Sequence, residues 1–135
     1  MATIKQVYDA TANTAGSWST LLDGLTSGSV STSGAEDNST NKFLAMDLEI
    51  KVVAGAGHTS GTFDVYLVRS ADNSDFSSDP LFLTSVILAA STTSTKVIRV
   101  EQLPKYFKFY VDNNSNDALG TGSALVYYGV DLSNA

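Results

Sequence analysis

The chain has 135 residues, 43% hydrophobic and 16% charged, with two Pro and no Cys. That length supports one domain, residues 1–135, able to bury roughly two-thirds of its unfolded surface; it is too short for a two-domain enzyme and too apolar for a disordered protein. Eight basic side chains against fourteen acidic ones give a net charge of −6, a sign that repels phosphate backbones, and the absence of Cys excludes a disulfide framework and thiolate chemistry.

No stretch approaches ~20 apolar residues, so no bilayer span is expected. The opening Met1–Gln6 has no apolar signal core, so a secretory route is not expected either. Polar positions are built from 18 Ser and 14 Thr beside only 3 Glu and 2 Arg. Helical proteins fill exposed faces with Glu, Lys, Arg and Ala, whereas Thr and the β-branched and aromatic residues suit a pleated surface. The balance favours strands and turns.

Within the first forty residues, Ile4–Tyr8 reads as a short strand and Trp18–Leu22 as another, or as a single helical turn. Gly28–Thr32 is a candidate third strand, and the Ser/Thr/Asn-rich residues 31–41 are expected to form a mobile loop. From Asn41 to Val53, Leu44, Met46, Leu48, Ile50 and Val52 fall on one parity and Ala45, Asp47, Glu49 and Lys51 on the other. Such alternation predicts a strand with one buried and one wetted face. The glycine-rich residues 54–61 read as a turn, and residues 62–69 follow with Phe63, Val65 and Leu67 on one face. Together the two strands suggest an antiparallel hairpin with a flexible tip.

Residues 70–80 form a polar loop closed by Asp79-Pro80, a step that disfavours helix. Leu81–Ala90 is strongly apolar and is expected to be a strand buried on both faces; residues 95–100 make a weaker one. After Pro104, Phe107, Phe109 and Val111 alternate with Tyr106, Lys108 and Tyr110, a second clear strand. Residues 112–117 (DNNSND) read as a polar turn, and Ser123–Asp131 as a closing strand packed on both sides. The sum is an all-β antiparallel sandwich or barrel of six to eight strands, with Leu44, Leu48, Phe63, Leu67, Phe107 and Phe109 in one core.

Catalytic constellations are few. His58, the one histidine, lies in the glycine-rich turn and is expected to be solvent-exposed, with no nucleophile or orienting acid beside it. One His and no Cys make zinc improbable. For calcium, Asp72, Asp75 and Asp79 share one loop, and Asp112, Asn114 and Asn116 open a D-x-N-x-N pattern. That pattern then fails, with Asp117 at the sharp-turn Gly and Ser123 at the bidentate Glu. Turn formation is the reading for both. Asp47 and Glu49 share an outward strand face, more simply a solvated surface than a glycosidase pair. Trp18, Tyr66, Tyr106, Tyr110 and Tyr127 are candidates to stack on sugars, against a reading as core, rim or protein-contact aromatics. No catalytic, metal or cofactor site is expected, and no enzyme activity.

Residues 61–72 (GTFDVYLVRSAD), an apolar strand running into a Ser-x-Asp loop, resemble a pattern in small virion structural proteins of tailed bacteriophages. Residues 103–114 (LPKYFKFYVDNN) are similar to a second strand of those proteins, which runs into an Asn-rich turn and a last aromatic strand. The likeness covers about the second half of the chain and departs at Asn116-Asp117, where relatives often place Thr-Gly.

The resemblance implies a jelly-roll-like sandwich that decorates or cements a capsid, with the major capsid protein as partner and no enzyme activity. It places the chain on the capsid surface of a virion assembled in the host cytoplasm. Sheet edges that need cover favour a homo-oligomer, trimer or dimer. Residues 1–8 are a candidate N-terminal arm whose Ile4, Val7 and Tyr8 add a strand to a neighbour's sheet edge. The alternatives are a phage tail or fibre component and a carbohydrate-binding β-sandwich module.

Overall fold

A computed structural model of the chain describes residues 4–8, 13–14 and 22–134. Ten strands follow in order: β1 (Ile4–Tyr8), β2 (Asn13–Thr14), β3 (Val30–Thr32), β4 (Glu36–Asp37), β5 (Ala45–Val53), β6 (Gly61–Ser70), β7 (Leu81–Ile87), β8 (Thr93–Val100), β9 (Tyr106–Ser115) and β10 (Ala124–Asn134). They form two five-stranded sheets, all of whose pairings are antiparallel. The first sheet has the order β1-β10-β5-β8, with β2 also on β10; the second has β3-β9-β6-β7, with β4 also on β9. The architecture is all-β with two antiparallel sheets, as a sandwich requires. The strands exceed the expected six to eight because β2 and β4 are two-residue ladders, too short to carry any alternation.

The core lies between the sheets. Met46, Leu48, Ile50 and Val52 of β5 and Leu125 of β10 face Phe63 and Val65 of β6 and Phe109 and Val111 of β9, all fully buried, with Phe107 and Leu67 nearly so. Three rings stabilise its centre: Phe107 and Phe109 meet edge to face at 5.6 Å, and Tyr127 stands 5.7 Å and 6.2 Å from them. Such aromatic pairs add to the burial of their area. Leu44 departs from the expected core. It precedes β5, is half exposed, and is held by its backbone to Val130 and Leu103 at the end of the sandwich.

Four other expectations are corrected. Strands β5 and β6 are not a hairpin, because they lie in different sheets. Their apolar faces meet across the core, and residues 54–60 cross from one sheet to the other. Residues 81–90 are not buried on both faces. Strand β7 is the rim of its sheet, pairing only with β6 among the described residues, and Leu81, Phe82 and Ile87 are exposed. Residues 31–41 are tied down rather than loose: β3 and β4 pair with β9, and the Asn38 side chain bonds Phe43 N–H and Phe43 and Pro104 carbonyls. The Asn-rich residues 112–117 are not a turn throughout, since β9 runs on to Ser115 with Asn113 and Ser115 facing inward. Asn113 Nδ2 donates to Leu25 O and Asp117 O, while its Oδ1 accepts from Ser115 N–H and Oγ–H. An amide so satisfied can sit in a core.

Gly61 opens β6 with φ +97°, and a Cβ there would strike the Asn114 and Ser115 backbone. This is a close approach of two strands that glycine alone permits.

The rims of β7 and β8 lie beside each other where the sheets part. Lys96 of β8 pairs opposite the buried Ile50, so it has inward parity, yet its ammonium reaches across and donates to Ser85 O of β7 at 3.0 Å. An inward lysine at a rim is a known block to strand addition, here beside a run from Leu81 to Thr95 that carries no charge. Replacing Lys96 by Met is expected to make the chain associate as concentration rises. Sedimentation velocity would show it, and a variant monodisperse wherever the parent is monodisperse would remove this role.

Candidate functional site

The outer face of the β3-β9-β6-β7 sheet carries the densest set of chemically able side chains. Strand pairing sets it out in rows. Thr32, Tyr110, Tyr66 and Phe82 stand side by side across four strands. Tyr66 meets Tyr110 and Phe82 edge to face, both with ring centroids 5.5 Å apart. Their parity is opposite to that of Phe63, Val65 and Phe109, so packing the core forces these rings outward. Phe82 is 54% exposed and the two tyrosines are partly buried.

The next row holds Val30, Asp112, Asp64 and Ser85. Asp64 and Asp112 are direct cross-strand partners, so two carboxylates share one face at neighbouring positions. Asp64 is only 8% exposed. It accepts hydrogen bonds from Thr62 Oγ1, Ser85 Oγ and Asn114 Nδ2, which fix its orientation with neutral donors. Neither Asp64 nor Asp112 forms an ion pair with a described residue. Partial burial, and then the negative charges of Asp64 and Asp112, raise the Tyr66 phenol above its ordinary pKa. Lys108, two residues from Tyr110, is turned away, with its ammonium 4.0 Å from the Phe76 ring centroid.

An open groove of about 580 Å³ lies at one end of this sheet, lined by Arg69, Ser70, Ala71, Asp75, Ser77, Pro104 and Lys105. Its wall is the 70–77 loop. Asp72 Oδ1 accepts from the Ser74 and Asp75 amides at 2.9 Å each, and from Ser70 Oγ. Those backbone donors hold the Asp72 carboxyl below the usual carboxylate range. Because its folded pKa is depressed, the ionised loop is favoured above the ordinary carboxylate pKa and loses that contribution as pH falls through the folded value. Here the aspartate forms the turn, as the sequence suggests.

His58 is the clearest correction. It is 1% exposed, not a solvent-facing loop residue. Nδ1 accepts the Gly55 N–H at 3.0 Å and Nε2 lies 3.1 Å from the Asp117 carbonyl oxygen, which places the ring proton on Nε2. Both nitrogens are therefore engaged by backbone, and the ring pins the crossover of residues 54–60 to the 115–119 turn. Asn116 adds to the same clamp, accepting from Thr59 and Ser60 N–H and donating to Gly57 O. The D-x-N-x-N residues are thus divided: Asp112 and Asn114 face out from β9, and Asn116 ties loops. Among the described residues no three His, Asp or Glu side chains converge as metal ligands.

Asp47 is paired with its cross-strand neighbour Arg99 through both guanidinium contacts, at 2.5 and 3.3 Å. It is thereby committed to a partner on the outer face of the other sheet. Tyr127 is no sugar platform: it is core-facing, with its hydroxyl 3.2 Å from Glu36 Oε2. Tyr106 is partly buried, 5.4 Å from the Lys105 ammonium. Trp18 lies outside the described residues. Ile4, Val7 and Tyr8 fall in β1, whose backbone pairs with this chain's own β10 (Ile4 with Asn134, Val7 with Asp131, Tyr8 with Val130). The face of Tyr66, Tyr110, Asp64 and Asp112 was reached by sequence only for its tyrosines, since the adjacency of the acids depends on strand register. No helix among the described residues is long and apolar enough to cross a membrane. No family model matches the chain, and no curated protein matches it.

Proposed function

We propose that the chain is a bacteriophage virion structural protein, a jelly-roll sandwich that decorates or cements the head by binding between subunits of the major capsid protein. The observation that carries this reading is the nesting of the strand pairs. With β2 and β4 set aside, the first strand pairs with the eighth, the second with the seventh, the third with the sixth and the fourth with the fifth. These are β1–β10, β3–β9, β5–β8 and β6–β7, divided between two sheets. Such nesting supports reading the fold as an antiparallel chain folded on itself and rolled, as in the jelly rolls of viral shells and lectins.

The mechanism is mechanical. A specific interface buries roughly 1,600 Å², and repetition around a closed shell multiplies a modest energy per copy. The proposed home is the capsid surface, reached by assembly in the host cytoplasm, with the chain as a trimer or dimer. The N-terminal arm fits a strand exchange: Ile4–Tyr8 lies at a sheet rim, and moving it from its own β10 to that of a neighbour keeps every ladder bond while linking two copies. A carbohydrate-binding module is the second reading, favoured by the outward row of the partly buried Tyr110 and Tyr66 and the exposed Phe82.

Cosedimentation of the purified chain with DNA-free expanded heads tests the first reading. Saturable binding is expected, with copy number fixed by the shell's symmetry, and loss of residues 1–8 is expected to weaken it. Absence of binding would overturn the reading, and full affinity without residues 1–8 would remove the arm.

A further inference from the structure

We infer that the outer face of the β3-β9-β6-β7 sheet is a docking surface for a cationic side chain of a partner protein, an arginine or lysine laid over Tyr66 and Tyr110 and against Asp112. The inference does not rest on the virion reading, since it concerns the chemistry of one face.

Charge complementarity carries it. Asp64 and Asp112 are opposite each other on paired strands, an arrangement that repels in the free protein. The three groups that satisfy Asp64 are hydroxyls and an amide, which orient it without neutralising it. Lys108, the cation of β9 two residues from Tyr110, is engaged elsewhere, over the Phe76 ring.

Beside the carboxylates stand the rings of Tyr66, Tyr110 and Phe82, whose faces also attract positive charge within about 6 Å. Asp112 and the three rings, with the largely buried Asp64 beside them, thus present one sign of potential on one face. A guanidinium matches this better than an ammonium, because it stacks on a ring while its fork addresses a carboxylate. A neutral saccharide would use the rings and leave the two charges uncompensated.

The test is an NMR titration of the full chain with three probes: the peptide acetyl-Gly-Arg-Gly-amide, the same peptide with neutral citrulline for Arg, and cellobiose. The arginine peptide is expected to shift the ring signals of Tyr66 and Tyr110 and the amide of Asp112 saturably, less so as salt is added. The citrulline peptide is expected to bind about two- to fivefold more weakly. In Asp112→Asn the affinity for the arginine peptide should fall by a similar factor. Its melting temperature should rise by about 1–4 °C, because the cross-strand repulsion is gone. That opposition of binding and stability is what a structural role for Asp112 would not give. Equal binding of both peptides, shifts with cellobiose alone, or an Asp112→Asn variant that is less stable or binds unchanged would overturn the inference.

Discussion

Replacing Phe109 by alanine is expected to lower the unfolding free energy by about 3–5 kcal/mol, the largest loss at any single position considered. Phe109 is fully buried at the centre of the sandwich and packs against Phe107 and Tyr127. It sits in β9, the strand with β6 on one side and β3 and β4 on the other. Truncation removes the transfer energy of the ring and leaves a void that two hydrogen-bonded layers cannot close. Against a total of about 5–15 kcal/mol for a domain, the loss brings the chain near unfolding. Chemical denaturation measures it directly, with the midpoint expected to fall sharply at unchanged slope. A midpoint within experimental error of the parent would contradict the inward assignment of β9.

The second large effect is expected at His58, where alanine should cost about 2–4 kcal/mol. The imidazole fills a buried site and supplies the acceptor for Gly55 N–H. Alanine removes that acceptor and opens a void under the crossover. The Asp117 carbonyl suffers less, because Asn113 and Ser115 also donate to it. The loss should be local in origin yet global in readout, since residues 54–60 join the two sheets. Thermal unfolding of His58→Ala is the measurement, and an unshifted melting temperature would show the ring to be dispensable to the crossover.

Periodicity made the strands legible and left their neighbours unread. Alternation in residues 44–53 and 106–111 identified the inward faces of β5 and β9, because burial acts on every second side chain whatever strand lies alongside. The same signal cannot say whether two consecutive strands pair or face each other, which is why β5 and β6 looked like a hairpin. Their connection depends on His58, a residue whose burial leaves no periodic trace. Apolar content likewise misplaced β7: a rim strand can be as apolar as a central one when its protection comes from a lysine on another strand. Asn113 and Ser115 concealed the end of β9 because polar residues with internal partners break the alternation without leaving the core. In the candidate site, Tyr66 and Tyr110 were recoverable from parity alone. The opposition of Asp64 and Asp112 was not, since it needs the register between two strands and the aspartates themselves are 48 residues apart in sequence.

The most direct measurement of the proposed role is electron cryomicroscopy of a virion that contains this chain. The expected result is a two-layered β density seated on the outside of the head, bridging neighbouring capsid subunits at symmetry-related positions. A head whose shell carries no such density, with the chain confined to the tail or missing from the particle, would contradict it.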